Sequence, residues 1–428
     1  MQSAFKTTAK SSFGTRFLRT SDDLAEELEK LAHATQSQLG TVAQTAYFVG
    51  NGLQRAVIDD IFDLLRPETW SPAVLWQNGS RMARQAAMVA RVWMAGGAAN
   101  LILQELKNKL EVFTLVKNLA DKLELPANGF ISLQELVAKA YSLSPFDALW
   151  AVEGVGHYYA DSYWNLHGAP RNLLTQNPTP VAAKSMLMLH AGIGLAFADR
   201  LVGDLTPEST NCEVRDALQQ FIELCQTNSR PGYLGAAIES LGLVTRDFYP
   251  DLLTMVRDQL GETAPEWMGF FWHGVGRALY FSRQYFLPGL GVWYDVDQIA
   301  RTESERLSIM AGLSWAATLV NMRHPGIAEN QLRLYIDESP LAQAFTNGVT
   351  STNIMRADTT PGEPFVSDFL AHQPNDPKIA KSWKEHITWP VTSALESVYP
   401  VLQRHGALDE VFRYQDLHKL SKQLSDKV

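Results

Sequence analysis

The chain has 428 residues, 46% of them hydrophobic, 10 histidines, two cysteines and a formal net charge of −9. That is enough apolar material for a large core. The acidic balance, without clustered Lys and Arg, argues against a nucleic-acid partner, and Cys212 and Cys225 alone suggest neither a disulfide framework nor a zinc ribbon.

Residues 1–20 are Ser/Thr-rich and basic and read as a mobile arm. They lack the apolar stretch of a secretory signal, so the expected location is cytoplasmic. Residues 21–143 read as an N-terminal helical extension. Asp22 and Asp23 are placed to cap its first helix, and an Ala-rich helix is expected across Met82 to Leu106. Ser132 followed by Glu135 predicts the start of a further short helix. No alternating run requires a strand. The most apolar segment, Val181 to Val202, carries Lys184, His190, Asp199 and Arg200, and is expected to be a buried helix and not a transmembrane segment.

A glycine-centred motif recurs from residue 144 to 358. Its copies are Gly154-Val155-Gly156, Gly192-Ile193-Gly194, Ser240-Leu241-Gly242, Gly274-Val275-Gly276, Gly312-Leu313-Ser314 and Gly348-Val349-Thr350, separated by 38, 48, 34, 38 and 36 residues. This period matches one helical hairpin. Pro145, Pro180, Pro231, Pro265 and Pro340 stand eight to twelve residues before the motif, and Thr302-Glu303 takes that place in the fifth copy. Proline is tolerated in the first turn of a helix and not in its interior. The glycines are therefore placed well inside helices, where each costs about 1 kcal/mol relative to alanine. The offsetting gain is close approach of another backbone or a ligand. The expected fold is all-α: about six helical hairpins, closed as an α/α toroid or open as an α-solenoid. Segments such as Asn211–Gln226 and Asp247–Leu260 form the outer layer, and residues 359–428 supply a Pro-rich loop and C-terminal helices that pack on the array.

Beside the glycines, two helices carry polar pairs at i,i+4 spacing: Glu153 with His157, and His273 with Arg277. A carboxylate beside an imidazole suits acid/base chemistry and an arginine can hold an anionic group, so these four are the candidate catalytic residues. Satisfied structural pairs are the alternative. His190 and Glu239 occupy related positions, and Tyr158, Trp272, Tyr280 and Trp315 belong to a dense aromatic set. These six are the candidate ligand-binding residues, suited to a long apolar or polyene-like molecule if the array is hollow. No metal site is expected, because HExxH and CxxC are missing. No phosphate loop or nucleophile elbow is present either, so the cofactor is unknown.

The motifs Val152-Glu153-Gly154-Val155-Gly156, Met188-Leu189-His190-Ala191-Gly192-Ile193-Gly194-Leu195-Ala196, Gly274-Val275-Gly276-Arg277-Ala278-Leu279-Tyr280-Phe281 and Ala311-Gly312-Leu313-Ser314-Trp315, in this order, resemble an uncharacterised bacterial family encoded in enediyne polyketide clusters. The likeness covers roughly residues 130–360, and more weakly Tyr47-Phe48-Val49-Gly50-Asn51-Gly52. Members of that family tend to carry an acidic residue, a glycine pair and a histidine in the third motif, where this chain has Glu239-Ser240-Leu241-Gly242-Leu243-Val244. The resemblance implies a natural-product context and no established reaction. The expected role is an accessory protein binding a long apolar or polyene-like intermediate inside the helical array. An enzyme acting on such a molecule, or a helical-repeat scaffold for a protein partner, are the alternatives.

Overall fold

The computed structural model describes residues 98–125, 131–176, 181–282, 291–335 and 339–426. The arm, the Asp22-Asp23 cap, the Tyr47–Gly52 motif and Pro180 lie outside these residues. The described chain is helical, with no strand among the described residues. In chain order the main helices are α1 Ala98–Lys117, α2 Leu133–Tyr141, α3 Ala148–His167, α4 Met186–Val202, α5 Asn211–Asn228, α6 Leu234–Phe248, α7 Leu253–Thr263, α8 Met268–Phe281, α9 Gly291–Ile299, α10 Glu303–Asn321, α11 Gly326–Tyr335 and α12 Ser339–Thr359. The helix expected to end at Leu106 continues to Lys117.

Local signals set several starts. The Ser132 hydroxyl accepts from the Glu135 amide at the head of α2. Thr210 with Glu213 and Thr302 with Glu305 form reciprocal capping boxes at α5 and α10. Pro265 opens a 3-10 turn that runs into α8, and Pro340 is the second residue of α12.

The six motif helices α3, α4, α6, α8, α10 and α12 pack in series, each against the next. Their glycines are the contact points. A Cβ on Gly242 would lie 1.9 Å from the Phe271 carbonyl oxygen, and one on Gly312 would lie 1.9 Å from that of His273. Neither leaves room for a methyl group, so close backbone approach is what the glycines provide. In the third copy, Ser240 replaces the first glycine and its hydroxyl donates to the Ala191 carbonyl across the seam at 2.9 Å.

Four of the five connections between these helices carry a helix: α5, α7, α9 and α11. The described part of the α3–α4 connection holds only the 3-10 turn Ala183–Ser185. This connection contains Pro170, Pro178 and Pro180, each unable to donate a helical hydrogen bond. The buried Asn228 fastens it instead, accepting from the Leu173 amide and donating to the Pro170 carbonyl. The expected outer helix Asp247–Leu260 is also interrupted. Asp247 ends α6, Pro250–Leu252 is a 3-10 turn, and α7 starts at Leu253.

The row of helices is curled. Trp150 at the start of α3 meets Phe281 at the end of α8, and α12 returns to touch α4. The Tyr141 hydroxyl joins the two ends, donating to the carbonyls of Thr359 and Lys184.

Within residues 359–428, part of the stretch expected to be a Pro-rich loop is helical. Phe365–Leu370 is a short helix, and a second helical stretch starts at Pro377 and runs to His405. Two π turns, Lys384–Thr388 and Ala394–Val398, precede Pro390 and Pro400. A proline ring clashes with the carbonyl four residues earlier, and widening the turn relieves the clash. Gly406, with φ of 59°, ends the helix, and the 3-10 segment Leu408–Phe412 then folds back onto α6, α8 and α12.

Candidate functional site

Arg277 on α8 is the centre of a buried polar cluster and is 2% exposed. Its Nη1 donates to Glu239 Oε2 of α6 at 2.8 Å and its Nη2 to Glu153 Oε1 of α3 at 2.9 Å. The guanidinium lies over the Trp315 ring at 4.6 Å and the Phe412 ring at 5.8 Å. Two carboxyl groups and two aromatic faces thus surround one cation, the arrangement that a buried charge requires.

His273, one helical turn before Arg277, is fully buried, and its Nδ1 lies 2.9 Å from Glu239 Oε1. Burial pushes the imidazole below its ordinary range and Arg277 pushes the same way, against the pull of Glu239. The neutral ring therefore carries its proton on Nδ1, donated to Glu239, and presents an unprotonated Nε2. That nitrogen has no hydrogen-bond partner among the described residues. It lies in an aromatic setting, with Trp315 and Phe412 at ring separations of 6.1 Å and 6.2 Å. A carboxyl-oriented imidazole with a free, unprotonated nitrogen is the usual form of a general base.

Sequence spacing places Glu153 with His157, and Arg277 with His273. In the structure all but His157 join one cluster, through contacts between helices and not along them. His157 is half-buried. Burial lowers its pKa, and Asp161 and Asp199 pull it back up.

His190 is fully buried on α4 with both ring nitrogens engaged by backbone. Nδ1 is 2.6 Å from the Met186 carbonyl, Nε2 accepts from the Arg230 amide at 3.0 Å, and the ring stacks on Tyr233. Tyr158 is half-buried against the core. Trp272 is buried edge-on to Phe271, its indole N–H without a partner.

Tyr280 belongs to a second polar cluster. Its hydroxyl donates to Glu105 of α1 at 2.8 Å and accepts from Asn321 of α10 at 2.7 Å, and Lys109 lies 4.0 Å above its ring. Burial raises the Glu105 carboxyl and lowers Lys109 to about 8. Phe412, Glu105, Lys109 and Asn321 carry no signal at the repeat positions, and only the fold brings them in.

Among the described residues no group of three His, Cys, Asp or Glu side chains is placed to hold a metal ion. Among them, one helical segment, Ala183–Val202, is long and apolar enough to cross a membrane, with a mean hydropathy of 1.3, and 89% of that window is buried inside the protein.

A groove of about 430 Å³ lies at the surface seam between the starts of α6 and α8 and the C-terminal segment. Pro231, Leu234, Trp267, Phe270 and Ala407 line it, with Asp409, Glu410 and Arg413 at its rim. Comparison with protein-family models, curated proteins and solved structures finds no match to this chain.

Proposed function

We propose that this protein is an accessory binding protein for an elongated apolar, polyene-like molecule, held at the seam between the motif helices and the C-terminal segment. The observation that carries this reading is the groove itself. Two flat aromatic side chains, Trp267 and Phe270, line it together with Pro231, Leu234 and Ala407. Arg413 lies over the Phe270 ring at 5.1 Å and offers a charged rim for a polar end. The ordered glycine motifs, which resemble a family of enediyne polyketide clusters, supply the natural-product context.

Titration with the methyl ester of parinaric acid, an uncharged fluorescent tetraene, tests this directly. Saturable enhancement is expected, weakened about fivefold or more in Trp267→Ala, since an aromatic anchor contributes on the order of 1–3 kcal/mol. Unchanged binding in the variant, or none in the parent, sinks the groove.

An enzyme is the second reading, favoured by the unpartnered Nε2 of His273 one turn from Phe270 in the groove wall. In that case His273 is the base, Glu239 orients it, and Arg277, tied to Glu153 and Glu239, fixes Glu239. His273→Gln then abolishes turnover while tetraene affinity stays within about twofold. Equal loss of both favours simple binding.

A further inference from the structure

Arg356, near the end of α12, is buried to 1% exposure, and among the described residues no carboxylate hydrogen-bonds to it. Its Nη1 donates to the Phe146 carbonyl at 3.1 Å, while Nε and Nη2 have no partner. These two N–H groups form one edge of the guanidinium, the fork that binds a carboxylate or phosphate with two parallel hydrogen bonds. The contrast with Arg277, similarly buried but held by two carboxyl groups, is direct.

Among the described residues the surroundings supply more positive charge, and no carboxylate is hydrogen-bonded to the guanidinium. Arg356 lies over the Phe146 ring at 4.5 Å and the Phe365 ring at 5.2 Å, and the Arg323 guanidinium lies over Phe146 at 3.8 Å. Arg323 is partly exposed and pairs with Glu111 at the surface. Burial, with Arg323 acting the same way, pushes Arg356 down to about 9, and Asp147 only partly offsets this. Arg356 is still a cation at neutral pH, and an unpaired buried cation is strongly unfavourable.

We propose that the Nε/Nη2 edge of Arg356 is the receptor of a second ligand site, one that takes an oxyanion: a carboxylate or a phosphate monoester. Phe146 forms its inner wall. Phe365, half-buried on the short helix Phe365–Leu370, forms its outer wall and is the side chain that must swing for entry. The site is independent of the groove, because none of these residues lines it.

Melting curves of the full chain at matched ionic strength test the proposal, with chloride as reference and sodium acetate or inorganic phosphate as probes. Phosphate stabilises proteins generally by exclusion from their surface, so the readout is the difference between the parent and Arg356→Met. The parent is expected to gain about 2 °C or more over the variant with at least one probe. Acetate alone identifies a carboxylate ligand, and phosphate alone a phosphate ligand. In chloride, Arg356→Met is expected to melt no lower than the parent, since it removes an unpaired charge and keeps the apolar stem. Should that variant not fold, the ¹⁵N resonance of the buried Arg356 Nε–H in the parent decides, by shifting saturably with a probe. Equal response of parent and variant to both probes, or an Nε–H resonance unmoved by either, overturns the proposal.

Discussion

The neutral form of His190 is dictated by its two hydrogen bonds. Nδ1–H faces the Met186 carbonyl and Nε2 accepts from the Arg230 amide, so a second ring proton would collide with an N–H donor. Burial is the largest cause of its lowered pKa, about 4 against the ordinary 6.5, with Arg230 adding to it and the Met186 bond opposing it. Because the folded value is depressed, stability from this group is full above pH 6.5. It falls as pH drops from 6.5 towards 4, where the unfolded chain takes up a proton that the folded one refuses. The loss across that window is about 3 kcal/mol. Asp358, raised to about 6 mainly by burial, acts in the opposite sense, so the parent's pH profile alone is ambiguous. The clean measurement is the difference between parent and His190→Gln in urea unfolding at pH 7.5 and pH 5. The variant is expected to be destabilised at pH 7.5, and by roughly 2 kcal/mol less at pH 5. A pH-independent difference would mean that His190 is not the titrating group.

At the scale of elements, the glycines separate into those facing backbone and those facing a movable side chain. An added Cβ on Gly312 lies 1.9 Å from a carbonyl oxygen of the neighbouring helix, so α8 and α10 must part. On Gly154 the nearest atom is a terminal methyl of Leu119, at 2.2 Å, which can rotate away. Gly312→Ala is expected to cost about 3 kcal/mol or more, or to prevent folding. Gly154→Ala stays within about 1 kcal/mol of the parent, its steric cost offset by better helix propensity. Similar effects in chemical unfolding would remove close packing as the reason for the motif. This packing was legible because glycine and proline report backbone geometry directly: Pro231 and Pro265 fix where helices start, and the motif lies at a near-constant distance from them. The α3–α4 connection, which holds no α-helix among the described residues, was not legible. Its span equals that of a hairpin, and a period measures length without saying what fills it. The π turns before Pro390 and Pro400 escaped for a different reason, since a proline inside a helix reads locally as an end.

For the whole molecule, Phe412 joins the C-terminal segment to the polar cluster. It is fully buried, 5.5 Å from the Trp315 ring and 6.2 Å from that of His273. Its segment is fastened by the Asp409 amide donating to the Gly232 carbonyl, by the Gly235 amide donating to Asp409 Oδ2, and by Asn347 donating to the Gln415 carbonyl. The sequence pointed to Glu153, Glu239, His273 and Arg277 as polar intrusions at equivalent repeat positions. It could not pair them correctly, because the bonds cross from α3 and α6 to α8, while i,i+4 spacing reports one helix face at a time. Phe412, 139 residues from His273, has no pattern to mark it. Its ring packs against both His273 and Arg277 of the cluster. Phe412→Ala is expected to cost about 3–5 kcal/mol, with a further effect that packing loss elsewhere would not produce. It uncovers the unprotonated Nε2, so diethyl pyrocarbonate should modify His273 in Phe412→Ala and leave it untouched in the parent, as peptide mass mapping would read. An equally destabilising change away from the seam, Phe221→Ala on α5, serves as the control. If His273 reacts equally in both variants, global opening and not loss of the Phe412 ring governs access. If it reacts in the parent, the ring is no barrier, and the cluster is open to a ligand without any movement of the C-terminal segment.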